Sequence, residues 1–115
     1  MTTTARARDL GIEFDGIPGP HNAITDVPGV EVGFTTLVQD EGEHAVRTGV
    51  TTILPRGRDG VGDPCHAGIY SMNGNGELTG SHWIAETGLL HLPIAVTNSH
   101  AVGPVHRGII DWVVD

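Results

Sequence analysis

Some pairs of neighbouring residues combine a nucleophile with a histidine, the minimum that covalent catalysis requires. Cys65 is followed by His66, and Ser99 is followed by His100. A nucleophile and its base must meet in hydrogen-bond geometry, whereas neighbours on an extended segment point to opposite sides of the chain. Adjacency therefore favours a buried structural cysteine at Cys65 over an activated thiolate, and it does not make Ser99 a nucleophile.

Three asparagines lie in segments where a ligand could meet the chain. Asn73 and Asn75 belong to the glycine-rich stretch Asn73–Glu77, which lacks the Gly-Lys-Ser/Thr ending of a phosphate-binding loop. Its turn-forming residues favour a tight connection, and the alternative is a substrate-lining loop whose backbone N–H groups face a cleft. Asn98 follows a predicted strand and precedes a predicted helix, which fits either a ligand contact or a helix cap made by Asn98 or Ser99.

The seven histidines raise the question of a metal site. His82 and Glu86 stand four residues apart in a predicted helix, so their side chains share one face. A zinc site needs three or four converging ligands, and the remaining histidines are scattered over different predicted elements. We therefore expect no bound metal or other cofactor.

Composition narrows the class of protein. The chain has 115 residues, enough for one small domain, and its net charge of −8 comes from fourteen acidic residues against six arginines. Nucleic-acid binding through a basic patch is therefore not expected, and a cationic substrate group or a basic partner suits this charge. A single cysteine and the absence of an apolar run after Met1–Arg8 indicate a cytoplasmic protein with no signal peptide and no membrane segment.

Alternating apolar and polar residues predict a β-hairpin in the first half of the chain. Its strands run from Val30 towards Val38 and from Val46 to Leu54, with a turn at Asp40–Glu43. The polar start and irregular segment before the hairpin contain Pro-Gly pairs such as Pro28–Gly29. These pairs predict tight turns, because proline presets φ and glycine accepts positive φ.

Shorter elements are predicted in the second half. Ile69–Met72 is expected to be a third strand, and Pro93–Thr97 a buried strand. Between them, His82–Thr87 is expected to form a short helix that Ser81 caps and Gly88 ends.

A last helix is predicted around Pro104, which suits a first helical turn because it has no N–H to satisfy. This helix shows no stop signal before Asp115, neither a glycine cap nor a basic last turn. We therefore expect its apolar face to pack on further protein, and the chain to be the front part of something larger. That face consists of Val105, Ile109, Trp112 and Val113.

Over long stretches of sequence, and not only at single motifs, the chain resembles the N-terminal part of the L-aminopeptidase/D-esterase family, which includes the β-peptidyl aminopeptidases. The matching stretches run in order over nearly all of the chain, which makes them far more specific than any single motif above. They are Arg6–Ile12, Asn22–Gly33, Val46–Gly57, Ser71–Ile84 and Thr97–Gly103.

The resemblance implies an α/β (α+β) fold, a partial αββα sandwich similar to the N-terminal-nucleophile hydrolases. It implies that residues 1–115 form a single incomplete domain, the α-chain part of a precursor that cuts itself once. That cut frees a serine at the start of the second chain, and the serine removes N-terminal residues from small peptides, amides or esters. The implied partners are this C-terminal β-chain and further copies in a homo-oligomer.

No catalytic role can be carried over to this chain, because the family's nucleophilic serine, activating tyrosine and oxyanion asparagine are expected beyond Asp115. Asn73, Asn75 and Asn98 are the candidates for the substrate-binding pocket. Glu77 or Glu86 would suit the ammonium group of the substrate, although no motif match assigns either. The alternatives are an inactive truncated fragment and a self-processing enzyme of the ornithine-acetyltransferase type.

Overall fold

The computed structural model describes residues 5–42 and 44–115. Met1–Thr4, which contributed to the argument against a signal peptide, and Glu43, the last residue of the predicted turn, lie outside the described residues. The described part is a mixed α/β arrangement with two small sheets, in agreement with the expected fold class.

Five strands and two α-helices make up this part of the chain. Three 3₁₀ helices accompany them, at Ala7–Leu10, Ile24–Asp26 and Ser99–Ala101. The strands are β1 (Glu31–Glu41), β2 (His44–Leu54), β3 (Cys65–His66), β4 (Leu89–Leu90) and β5 (Ile94–Thr97), and the helices are α1 (Ser81–Thr87) and α2 (Val102–Val114).

The predicted hairpin is confirmed, and its strands are longer than predicted. β1 pairs antiparallel with β2 over their whole length, from Glu31 opposite Leu54 to Glu41 opposite His44. The tight turn before the hairpin is also confirmed, since the N–H of Val30 donates to the carbonyl of Val27 at 3.2 Å and Gly29 has φ of 86°. Proline and then a left-handed glycine at the two central positions are typical of a type II turn.

Strand β2 is the centre of the three-stranded sheet, whose order is β1-β2-β5. β5, which corresponds to the predicted strand at Pro93–Thr97, pairs antiparallel with β2 from Val50 opposite Thr97 to Ile53 opposite Ile94. The hydroxyl of Thr97 also donates to the carbonyl of Gly49 at 2.8 Å. β2 therefore has a hydrogen-bonded neighbour on each side.

Two predictions about local structure were wrong. Ile69–Met72 is not a strand, and all four of its residues are exposed. A second sheet forms instead from β3 and β4, with Cys65 opposite Leu90. Ser81 does not cap α1 but is its first residue, and Gly80, with φ of 90°, occupies the cap position.

The ends of both helices follow local sequence signals. Gly88 ends α1 as predicted, because its φ of 68° is left-handed and its N–H donates to the carbonyl of Ile84 at 2.8 Å. Pro104 lies in the first turn of α2, as predicted. Neither helix is long and apolar enough to cross a membrane, nor is any other helix in the described ranges.

Apolar surface is abundant on these elements. Apart from Pro93, Ile84 is the only buried apolar side chain among the described residues. On α2, Val105 and Ile109 are half-buried, whereas Trp112 stays 43% exposed on the predicted apolar face. Phe34, on the edge strand β1, is 77% exposed. The described part is thus a set of sheets and helices with apolar surface left to cover.

The segment before the hairpin is organised around the carboxylate of Asp26. Its oxygens accept the backbone N–H of His21 at 2.9 Å and the backbone N–H of Ala23 at 3.1 Å. The hydrogen bond from His21 is the main reason that the pKa of Asp26 lies below its ordinary value of 3.8. Gly19 leaves space for this carboxylate, because a Cβ there would lie 2.7 Å from the Cγ of Asp26.

Gly49 allows the two long strands to approach closely, which leads to a first prediction. A Cβ at Gly49 would lie 2.5 Å from the carbonyl oxygen of Thr35, so Gly49→Ala must push β1 and β2 apart. We expect the free energy of unfolding to fall by about 1–3 kcal/mol, measured by urea denaturation followed by circular dichroism. Gly33→Ala is the matched control, because a Cβ at Gly33 meets nothing within 4 Å. Equal urea midpoints for the two variants would contradict this account.

The hydrogen bonds of Asp26 predict a pH dependence. Because its pKa is lowered in the folded state, Asp26 stabilises the loop fully at pH values above 3.8, and this contribution is lost as pH falls through the lower folded-state pKa. NMR titration of the His21 amide should therefore show a midpoint below 3.8. Asp26→Asn should abolish that transition, whereas Asp59→Asn, in the loop that follows β2, should leave it unchanged because Asp59 makes no hydrogen bond to His21. A midpoint at or above the ordinary value would refute the assignment.

Candidate functional site

The loop with Asn73 and Asn75 is held by its own side chains. The Oδ1 atom of Asn73 accepts the backbone N–H of Asn75 at 2.9 Å, and the hydroxyl of Ser71 donates to the carbonyl of Asn73 at 2.7 Å. Asparagine bonded to the backbone two residues on is the usual Asx turn, so the predicted tight connection is confirmed. Both asparagines are exposed, and the side-chain N–H groups of Asn73 point to no acceptor among the described residues.

Asn98 caps the 3₁₀ helix that leads into α2. Its Oδ1 atom accepts the backbone N–H of His100 at 3.0 Å, and its Nδ2 atom donates to the hydroxyl of Thr48 at 2.7 Å. The first bond is the capping interaction that the sequence allowed, and the second ties the end of β5 to β2. An amide nitrogen carries two N–H donors, so Asn98 makes both contacts with its oxygen and only one of these donors.

The candidate residues belong to two separate stretches of the chain. Within residues 5–42 and 44–115, no hydrogen bond joins Asn98 to Asn73 or Asn75. Glu77 is exposed in the glycine-rich loop, and Glu86 is exposed on α1. The structure therefore orders each stretch locally, and the use of all three asparagines in one pocket stays a prediction.

The cysteine and histidine positions agree with the alternation of an extended segment. Cys65 is half-buried and unpaired on β3, and its neighbour His66 is exposed. The two side chains thus face different environments, which does not favour a thiolate–imidazole pair. Among the described residues, no three histidine, cysteine, aspartate or glutamate side chains come close enough together to hold a metal ion.

Comparison with protein-family models decides the family. Residues 22–115 match the model of peptidase family S58, and this match spans more than half of the chain. The chain belongs to peptidase family S58. Within this family, the residues matched include β1, β2 and β5, both helices and all three candidate asparagines.

Two curated S58 relatives are similar over almost the whole chain. Beta-peptidyl aminopeptidase BapA of Sphingosinicella microcystinivorans is 47% identical over 96% of this chain. Beta-peptidyl aminopeptidase BapA of Sphingosinicella xenopeptidilytica is 48% identical over 95% of it. The chain spans only 29% and 28%, respectively, of the length of these relatives.

Solved structures confirm the expected fold. The L-aminopeptidase D-Ala-esterase/amidase of Ochrobactrum anthropi, described as a prototype for the serine aminopeptidases and a new variant among the Ntn hydrolase fold, is 46% identical and superposes with a TM-score of 0.86. A beta-aminopeptidase of Burkholderia sp. is 52% identical, with a TM-score of 0.84. They cover 96% and 93% of this chain, which covers 31% of each. The S58 chain therefore has part of an N-terminal-nucleophile hydrolase fold.

Sequence reasoning missed the partner that orients Asn98. Thr48 lies fifty residues earlier in the chain and looks like any other threonine of a β-strand. The only available signal was indirect, because Thr48 and Asn98 both belong to stretches that resemble the aminopeptidase family. The contact follows from the pairing of β5 with β2, which local patterns do not specify.

Two substitutions of Asn98 test its structural role. Asn98→Ala removes the cap and should lower the free energy of unfolding by about 1 kcal/mol in urea denaturation. Asn98→Asp keeps an acceptor for the N–H of His100 and can accept from the Thr48 hydroxyl, so stability should stay within about 0.5 kcal/mol. Asn75→Ala serves as the control, because Asn75 is exposed and its side chain makes no hydrogen bond among the described residues. If Asn98→Ala were as stable as Asn75→Ala, the capping role would be refuted.

Proposed function

We propose that this S58 chain is the N-terminal α-chain portion, a single incomplete domain, of a self-processing serine aminopeptidase. The observation that carries the proposal is the family match over residues 22–115. It is supported by identities of 46% and 52% to two solved proteins described as aminopeptidases. Since the chain spans about a third of these proteins, the remaining part would supply the nucleophile.

In the proposed enzyme, a serine beyond Asp115 becomes the first residue of the second chain through one self-cleavage. Its α-amino group takes the hydroxyl proton while the oxygen attacks the carbonyl of the substrate. Amide donors stabilise the oxyanion, and the tetrahedral species collapses to an acyl-enzyme as the amine or alcohol leaves. Water then hydrolyses the acyl-enzyme, so neither metal nor cofactor takes part.

The described residues would line part of the substrate pocket and hold the lining side chains in position. Asn73 and Asn75 present side-chain amides from a loop that is already ordered by an Asx turn. Asn98 is oriented by Thr48 and retains one N–H donor. Side chains that are held before a ligand arrives lose little entropy on binding, which suits them to a pocket.

The proposed substrates are small peptides, amides or esters with a free N-terminal amine. The net charge of −8 favours attraction of such a cationic group, with Glu77 or Glu86 as its candidate partner. The proposed partners are the C-terminal β-chain of the same precursor and further copies in a homo-oligomer. We place the enzyme in the cytoplasm.

The test is expression of the gene with whatever coding sequence follows codon 115. The purified product should separate into two chains, the second beginning with serine, and should hydrolyse a p-nitroanilide of D-alanine or β-alanine. The 115-residue chain alone is the matched control, and we expect no hydrolysis from it. Serine→alanine at the start of the second chain should abolish both self-cleavage and hydrolysis.

Three results would contradict the proposal in different ways. Hydrolysis by the 115-residue chain alone would show that a nucleophile lies within it. An in-frame stop at codon 116 would support the inactive fragment instead. Acetyl transfer to or from ornithine without peptide hydrolysis would support the acetyltransferase alternative.

A further inference from the structure

The first two stretches that resemble the aminopeptidase family, Arg6–Ile12 and Asn22–Gly33, are joined by one side chain. The guanidinium of Arg6 donates to the carbonyl of His21 at 2.6 Å and to the carbonyl of Asn22. A planar guanidinium can hold two acceptors at once in a fixed fork, which an ammonium group cannot do. Arg6 therefore closes a loop between residues that are far apart in the chain.

The two carbonyls belong to a turn that further hydrogen bonds hold in place through its backbone N–H groups. The N–H of Asn22 donates to the carbonyl of Gly19 at 3.0 Å, and Asn22 itself has a left-handed φ of 46°. The carboxylate of Asp26 accepts the N–H groups of His21 and Ala23. The acceptors of the Arg6 fork thus belong to a turn whose N–H groups are satisfied independently.

The hydrogen bonds of this region are self-contained. Within the described residues, every hydrogen bond made by residues 6–26 has its partner between Arg6 and Val27, and none reaches β1, β2 or β5. Segments with few bonds to the rest of a protein open as separate cooperative units. The loop and the sheet therefore have the connectivity of two such units.

We propose that residues 6–26 form a strap latched by Arg6, which opens and closes as one unit while the three-stranded sheet stays folded. The strap carries Leu10, Ile12, Phe14 and Ile17, all of them exposed. Opening or closing of the strap would therefore change where these four apolar side chains lie. The inference rests on the geometry of Arg6 and holds whether or not the chain belongs to an aminopeptidase.

Hydrogen exchange of the gene product with its full coding sequence, followed amide by amide, tests the strap. Arg6→Gln should speed exchange at His21, Asn22 and Ala23 about tenfold, because the loss of two charge-assisted hydrogen bonds favours the open state. Exchange in β2 should not change. Arg6→Lys keeps the charge without the fork, so its strap amides should also exchange faster than in the unmodified chain.

Arg58→Gln is the matched control, since it removes the same charge outside residues 6–26 and the exposed Arg58 guanidinium makes no hydrogen bond among the described residues. This variant should exchange like the unmodified chain. Equal acceleration in Arg58→Gln would overturn the assignment of the latch. Wild-type exchange in Arg6→Lys would show that the positive charge, and not the two-armed guanidinium, holds the loop. Acceleration in β2, or strap amides without protection in the unmodified chain, would overturn the strap itself.

Discussion

The pairing of β2 on both sides is the constraint on which the rest of the described structure depends. β2 supplies hydrogen bonds to β1 along its full length and to β5 over four residues. The close passage of Thr35 at Gly49 is possible only without a side chain at that position. Asn98, at the end of β5, is then oriented by Thr48 of β2. The position of one candidate site residue thus follows from the centre of the sheet.

Elements with a strong local signal were predictable. The hairpin has alternating residues and follows a Pro28–Gly29 turn, and α1 ends at a left-handed Gly88. Propensity and periodicity therefore indicated the structure that forms. The prediction of a strand at Ile69–Met72 was wrong, because a short apolar run becomes a strand only when another strand lies beside it. β3 and β4 have two residues each and carry no recognisable pattern; their pairing is decided by tertiary contact.

The candidate site also contains features that could be predicted from the sequence and one contact that could not. The turn at Asn73 was predictable because asparagine and glycine determine it within a few residues, and the cap by Asn98 was predictable from its place before a helix. The contact from Asn98 to Thr48 was not, since it spans fifty residues. Capping and ligand binding are compatible roles for Asn98, because the cap uses the oxygen and Thr48 only one N–H. The two alternatives left open by the sequence therefore do not exclude each other.

The exposed apolar surface is explained by the part of the family fold that this chain covers. A layered α/β fold buries each sheet between other layers, so a chain that spans 31% of its solved relatives leaves faces uncovered. Phe34 on the sheet and Trp112 on α2 are such uncovered side chains, even though they belong to separate elements. The strap of residues 6–26 differs from both, because its stability comes from hydrogen bonds that lie within it. A covering layer would stabilise the sheet and α2 by burying these side chains, and it would act on the strap only through its four exposed apolar side chains, not through its hydrogen bonds.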